Sequence, residues 1–358
     1  MRIAIDISQI IFGTGVSTYT KNLIQNLIKI DQDNEYFLFG FSLRRKAELE
    51  IFAKQFEGRV ASRFFTMPPS VSEFFANQIH FPKLENIIGK IDVYHSSDWA
   101  QFASNSFKVT TVHDLAPIFY PKLTNRKIRE VHKRRLNWIV READQIIVPS
   151  NSTKNDLIKI GALVSKISVI PEALDPAFTI SNSNEIEEVK KKYRILGRYI
   201  LGVGVNLRKN TDGLIEAFSK AKSDDLKLIL TGYPYSKKDE SRGVSYIGHV
   251  PTSDLASLYS GAECLVYPSF YEGFGLPILE AFATGCPVVT SNVSSMPEVA
   301  GNAAILVDPH DTTSIASGIK KALKSRIGLS KKGFKQLEKF SWEDNARETL
   351  KIYELARI

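Results

Sequence analysis

The feature that most constrains this chain is an alternation of short apolar strands with helix-length segments, run once through each half of the sequence. In the first half Arg2–Ile7, Tyr36–Phe39, Ile91–His95, Val109–Val112 and Gln145–Pro149 are short runs of aliphatic, β-branched or aromatic residues. Within Thr18–Ile30, Leu23, Leu27 and Ile30 recur at spacings of four and three, the period of a helix lying on a sheet. The rhythm restarts at Tyr199–Gly204 and continues through Leu226–Leu230, Tyr246–Pro251 and Leu265–Tyr267. Strands alternating with helices build a parallel sheet. At 358 residues the chain exceeds one ordinary core and fits two domains of roughly 150–180 residues. The expected division is residues 1–175, residues 176–340 beyond a Ser-, Asn- and Pro-rich linker near Asp175–Asn184, and a closing helix over 341–358.

Composition narrows the class of protein. With 43% hydrophobic and 24% charged residues, disordered and fibrous classes are excluded. No apolar run approaches the roughly 18–20 residues that cross a bilayer. Asp6 interrupts any secretory apolar stretch at the N-terminus. Cys264 and Cys286 fit no metal or redox spacing, so a reducing cytoplasm is the expected setting. The net charge of +8 admits three partners: nucleic acid, an anionic membrane surface, or a phosphate-bearing small molecule. No recognisable nucleic-acid-binding module accompanies that charge.

In parallel sheets the carboxyl ends of the strands carry the chemistry. His95 follows one such strand and His113-Asp114 the next, with Leu115-Ala116-Pro117 closing the loop. His95 reads as a packed structural histidine; His113 reads equally as structural or functional. Phe12–Ser17 brings Gly13 and Gly15 to the start of a helix, where free N–H groups form an anion seat, or else simply a tight turn. Arg126–Arg141 is an amphipathic helix in which seven basic residues, including Arg126, Arg129, Lys133 and Arg134, face only Glu130. Such a helix is a solvated face or a patch for lipid head groups or a diphosphate. Phe74-Phe75, near Met67-Pro68-Pro69, is either core or an aromatic surface lining an acceptor groove or membrane interface.

In the second half Arg208-Lys209 follows the first strand, where two cations suit phosphate better than packing. Tyr267–Glu280 reads as strand, loop and helix. Gly273 and Gly275 allow close backbone approach, Pro277 suits a first helical turn, and Glu272 and Glu280 accept hydrogen bonds from hydroxyls. Carboxylates at two places with cations between them fit a ligand bearing hydroxyls at both ends and phosphate in the middle. A nucleotide sugar is such a ligand.

The segment Glu272-Gly273-Phe274-Gly275-Leu276-Pro277-Ile278-Leu279-Glu280 resembles the signature of the retaining family 4 glycosyltransferases. The resemblance extends through Ala281–Val289, Ser294–Gly301, Arg208-Lys209-Asn210 and Thr111–Leu115. It implies a GT-B fold, an α/β architecture of two Rossmann-like domains facing across a cleft, with the C-terminal helix crossing back to the N-terminal domain. It further implies that Glu280 binds ribose, and that Glu272 with the Gly273, Phe274, Gly275 and Leu276 backbone meets the transferred sugar and phosphate. Arg208 and Lys209 would stabilise the diphosphate leaving group. His113 would lie near the donor sugar, Gly15 near the diphosphate and the Val250 backbone near the base. No metal or other cofactor is implied. The sequence departs from the family pattern at Asn206-Leu207, where Glu-Pro is frequent, and at Ser17-Thr18.

The His113-Asp114-Leu115 and Arg208-Lys209-Asn210 patterns resemble mannosyltransferases of surface polysaccharide assembly, which makes GDP-mannose the first donor to test. The alternatives are a GT-B-like nucleotide-sugar epimerase and a non-catalytic nucleotide-sugar-binding protein. Residues 1–175 hold 23 cations against 18 carboxylates, and residues 176–358 hold 24 against 21. The larger surplus on the first half suits a membrane-borne or anionic acceptor and a peripheral place at the inner face of the cytoplasmic membrane. Ser341 with Asp344 is expected to cap the last helix as an acidic capping box.

Overall fold

Both faces of each central strand are apolar, so each sheet must be covered on both sides. The computed structural model describes residues 1–221, 225–234 and 243–357. In the first half the strands are β1 (Arg2–Asp6), β2 (Glu35–Phe41), β3 (Val60–Phe65), β4 (Val93–Ser96), β5 (Phe107–Thr111), β6 (Gln145–Val148) and β7 (Ile167–Val169). They form one parallel sheet in the order β3-β2-β1-β4-β5-β6-β7. Ile3 of β1 sits opposite Tyr36 on one side and Val93 on the other. The order reverses between β1 and β4, and it is outside such a reversal that α/β sheets open a crevice.

The second half repeats the plan with β8 (Arg198–Val203), β9 (Leu226–Thr231), β10 (Val244–Tyr246), β11 (Leu265–Tyr267), β12 (Val288–Ser291) and β13 (Ala304–Val307). These are parallel in the order β10-β9-β8-β11-β12-β13, with the reversal between β8 and β11. Apolar clusters fill both faces. Tyr199, Leu201, Leu279 and Phe282 belong to one, and Ile200, Leu228, Val289 and Ile319 to the other. Each such fully buried side chain contributes about 1.5–3 kcal/mol relative to exposure.

The chain separates into two units, Met1–Ala173 with Ser341–Ile358, and Leu174–Phe340. The last helix, Trp342–Glu354, therefore belongs to the first unit. The Trp342 ring lies 5.7 Å from Tyr19, the Tyr353 hydroxyl is bonded to His95 Nδ1 at 2.6 Å, and Asn345 donates to the Pro171 carbonyl at 2.7 Å. Ile358 lies outside the described residues. The capping box at this helix is only half formed. Ser341 accepts from the Asp344 amide at 3.3 Å, but the Asp344 carboxylate is held instead by Arg347 at 2.9 Å.

Two further expectations need correction. The helix after β1 begins at Gly15 rather than Thr18, because Thr14 and Ser17 form a reciprocal capping box. Gly15 is thus the first helical residue, not part of a loop, and the left-handed glycine of the turn is Gly13, at φ +66°. Arg135 is not part of a basic surface. It is fully buried, donating to Thr110 Oγ1 and the Thr111 carbonyl at 2.9 Å each and pairing with Asp98 at 3.3 Å.

Candidate active site

In the second unit, β8 ends at Val203 and the chain turns sharply through Gly204, at φ +78°. A Cβ at Gly204 would stand 2.8 Å from the Lys209 stem, so glycine here gives the lysine its path. Arg208 and Lys209 then converge on one carboxylate. Arg208 Nη1 donates to Glu272 Oε2 and, at 2.7 Å, to the Tyr271 carbonyl. Lys209 Nζ lies 3.6 Å from Glu272 Oε1. It also donates to the Tyr267 hydroxyl at 2.8 Å and stands 4.5 Å from that ring's centroid. Tyr267 in turn donates to Glu272 Oε1 at 2.6 Å, and Ser269 does so at 2.9 Å.

The charges decide the state of this cluster. Burial alone would raise the Glu272 pKa, but Lys209, Arg208 and the Tyr267 hydroxyl outweigh it and hold the carboxyl down at about 2. Burial lowers the Lys209 pKa, and Glu272 opposes that shift. Arg208 and Lys209 thus meet at one carboxylate, Glu272. The arrangement can accept a polyanion.

The loop beyond Glu272 leads into the helix Leu276–Ala283, capped by Gly275 at φ +111°. Ser295 Oγ anchors the loop on the Glu272 and Phe274 carbonyls at 2.8 and 2.7 Å, and the Glu272 amide donates to Ser294 Oγ at 3.3 Å. The Phe274 ring is buried against Phe340, so its side chain is not offered to a ligand. The same holds for Val250, buried ahead of the helix Thr252–Gly261.

Glu280 receives the Tyr259 hydroxyl at 2.7 Å. Burial pushes its pKa up to about 7, against the Tyr259 bond and the Lys209 charge. A carboxyl raised above its ordinary 4.5 stabilises the fold below that value, and the contribution is lost as pH rises through about 7. Across that window the melting temperature of the ligand-free protein falls relative to Glu280→Gln. Scanning calorimetry of both proteins checks this, and a constant difference between them would contradict it.

In the first unit, His113 lies just beyond β5, in the crevice outside β1, β4 and β5. Asp6, Tyr19, His95, Ser97, Asp98 and Thr111 line the same crevice. His113 Nδ1 donates to Glu172 Oε1 at 2.8 Å. His95 is enclosed, bonded to Tyr353 and, at 2.9 Å, to Thr111 Oγ1, and burial drives its pKa down to about 3. It is structural. Asp114 caps its own turn, accepting from the Ala116 amide at 2.9 Å. Gly15 is exposed at the start of its helix.

The basic helix Arg126–Glu142 holds the Phe74–Ile79 turn against the first unit. Arg134 pairs with the buried Glu73 at 2.9 Å, and Trp138 donates to the Asn77 carbonyl at 2.9 Å. Arg134 is thus committed within the protein, whereas Arg126 and Lys133 are exposed. Arg129 and Lys133 line a groove with Pro117, Ile118, Leu136 and Val140. Phe74 and Phe75 are 43% and 36% exposed, so they are surface aromatics, not core.

The sequence does not reveal that Tyr267, Tyr259 and Glu172 bond the candidate residues. A buried hydroxyl or carboxylate partner is set by tertiary packing, and nothing in the local pattern announces it.

Two parallel-sheet units of this kind make up the GT-B fold. The comparisons agree: residues 13–178 match the model described as Glycosyltransferase Family 4, and residues 185–341 that of Glycosyl transferases group 1. The chain is 33% identical over 286 residues to O-antigen chain mannosyltransferase B of Escherichia coli, covering 74% of each protein. It is 30% identical over 268 residues to the E. coli serotype-specific mannosyltransferase WbdA, matching 66% of this chain and only 32% of that one. The fold matches sucrose-phosphate synthase of Thermosynechococcus elongatus with a TM-score of 0.75 at 19% identity, over 99% of this chain and 98% of the other. The protein belongs to the family 4 glycosyltransferases.

Proposed function

We propose that the protein moves a hexose, mannose from GDP-mannose as the first candidate, to a saccharide or lipid-linked acceptor in the synthesis of a cell-surface polysaccharide. The observation that carries this reading is the convergence of Arg208, Lys209 and Glu272 on one buried point at a strand end. The choice of mannose rests on relatives whose names are those of O-antigen and serotype-specific mannosyltransferases.

In this reading the second unit binds the donor. Glu280 takes the ribose hydroxyls, the Val250 backbone meets the base, and the Gly273–Leu276 backbone with Glu272 takes the sugar and phosphate. Breaking the bond between the anomeric carbon and the phosphate oxygen puts negative charge on the diphosphate. Arg208 and Lys209 stabilise that charge, in the place a metal ion fills in other enzymes. No side chain is assigned as a nucleophile beneath the anomeric carbon. The acceptor oxygen therefore attacks on the face the phosphate leaves, the acceptor's proton passes to the departing phosphate oxygen, and the anomeric configuration is retained.

The first unit takes the acceptor side, with His113 and the helix start at Gly15 as its own candidate ligand-contacting groups. The exposed Phe74 and Phe75, with Arg126, Arg129 and Lys133, form the face presented to a membrane-borne acceptor. No helix among the described residues is long and apolar enough to cross a membrane, so contact would be peripheral.

The test is acceptor-dependent release of nucleoside diphosphate, measured with one acceptor in free solution and one carried in anionic vesicles. Wild type turns over with both, and Phe74→Glu/Phe75→Glu keeps the first activity while losing most of the second. Nucleotide release that ignores acceptor would favour an epimerase. Equal loss with both acceptors would remove the membrane-facing role.

A further inference from the structure

We propose that Glu172 is a positioning residue for the transfer reaction: its carboxylate fixes the His113 ring so that Nε2 is the nitrogen offered to a sugar. This rests on the reading above, in which the crevice of the first unit meets a saccharide.

Three observations carry it. A carboxylate can only accept, so the 2.8 Å contact places the proton of His113 on Nδ1 and leaves Nε2 as the other ring nitrogen. Among the described residues no protein partner of Nε2 is found, and His113 lines the crevice. The ring is also held from the side, since Tyr19 meets it edge-on at 4.6 Å with its own hydroxyl 3.2 Å from Thr111 Oγ1.

Glu172 is itself well fixed. It is only 5% exposed, and the preceding Pro171 carbonyl is tied to Asn345 of the closing helix. An aligned imidazole costs nothing further in rotamer entropy when the sugar arrives, the general benefit of an orienting carboxylate behind a histidine. The pairing has no evident packing purpose that a leucine could not serve better, because a buried carboxylate must recover its lost hydration.

The charge environment gives the test its sensitivity. Burial lowers the His113 pKa, but the Glu172 bond and charge, helped by Asp98 from beyond β4, raise it overall. Arg135 opposes from the basic helix, Tyr19 is neutral, and His95 stays uncharged at neutral pH. Removing the Glu172 charge therefore shifts the protonation of His113 to lower pH.

The experiment compares Glu172→Gln and Glu172→Ala with wild type by steady-state kinetics over pH and by 15N NMR of labelled histidine. Glu172→Gln preserves shape and an accepting oxygen, so it carries the test if the alanine variant folds poorly. The expected result is a kcat loss of about 10- to 100-fold in the alanine variant and less in the glutamine variant, as for orienting carboxylates behind metal-bound histidines. Donor KM changes little, the acidic limb of the kcat profile moves to lower pH in both, and the alanine variant loses its Nδ1–H tautomer. An unmoved pH limb with an unchanged tautomer would overturn the proposal while leaving the wider reading intact. If His113→Ala also turns over normally, the reading of the crevice fails, not merely the role of Glu172.

Discussion

Replacing Lys209 with alanine is expected to lower kcat by about 10²- to 10³-fold with donor and acceptor saturating, the cost of removing one preorganised group from a developing anion. Lys209 is held by Tyr267 at 2.8 Å and by the Glu272 charge, so its ammonium is already placed before a ligand arrives. Burial weakens its hydration, which makes an incoming phosphate a better partner than water. A group that stabilises charge only as it builds on the leaving phosphate changes kcat more than KM. Stopped-flow or coupled assay of nucleotide release measures this. Near-normal turnover in the variant would remove the leaving-group role from Lys209.

The second large effect concerns Glu272, whose side chain balances Arg208 and Lys209 from a position 8% exposed. Glu272→Gln removes the carboxylate that Arg208 and Lys209 share, and breaking a buried pair on one side costs about 3–5 kcal/mol. The melting temperature of the ligand-free variant therefore falls by several degrees. The deficit has a specific remedy. A diphosphate supplies the missing negative charge, so pyrophosphate or a nucleoside diphosphate raises the melting temperature of the variant more than that of wild type. Thermal unfolding with and without these anions checks both parts. A variant that melts like wild type, or that gains no more from the anion, would show that Glu272 is not the counter-ion. The pH dependence follows from the low Glu272 pKa. A carboxyl held at about 2 stabilises the wild type above its ordinary 4.5 and loses that contribution as pH falls toward 2.

Much of this was legible in the sequence because the signals are local. Leu23, Leu27 and Ile30 mark a helix by their spacing alone, and the apolar runs around Ile3, Leu38 and Ile200 mark strands by the same kind of rule. Arg208-Lys209 and Glu272–Glu280 likewise stand out as charged residues beyond strand ends, and Arg208, Lys209 and Glu272 do converge. What a sequence cannot display is which distant partner satisfies a buried polar atom. Arg135 looks like one more cation on a basic helix until Thr110, Thr111 and Asp98 are seen around it. Tyr267 looks like a strand residue until Lys209 and Glu272 close on its hydroxyl. Glu172 follows a proline in an unremarkable turn, and its meaning comes wholly from His113, fifty-nine positions earlier. The first helix starts ahead of the Thr18 that the spacing marks for a smaller reason: Thr14 and Ser17 cap reciprocally, but no acidic residue marks that end.

The measurement that bears most directly on the central claim is the anomeric configuration of the product. Wild-type protein, a 13C-labelled nucleoside diphosphate hexose and an acceptor would be followed by NMR through the one-bond coupling at the anomeric carbon. Departure and attack on one face, with the leaving diphosphate held by Arg208 and Lys209, predict a linkage of the same anomeric configuration as the donor. A product of inverted configuration would contradict the account.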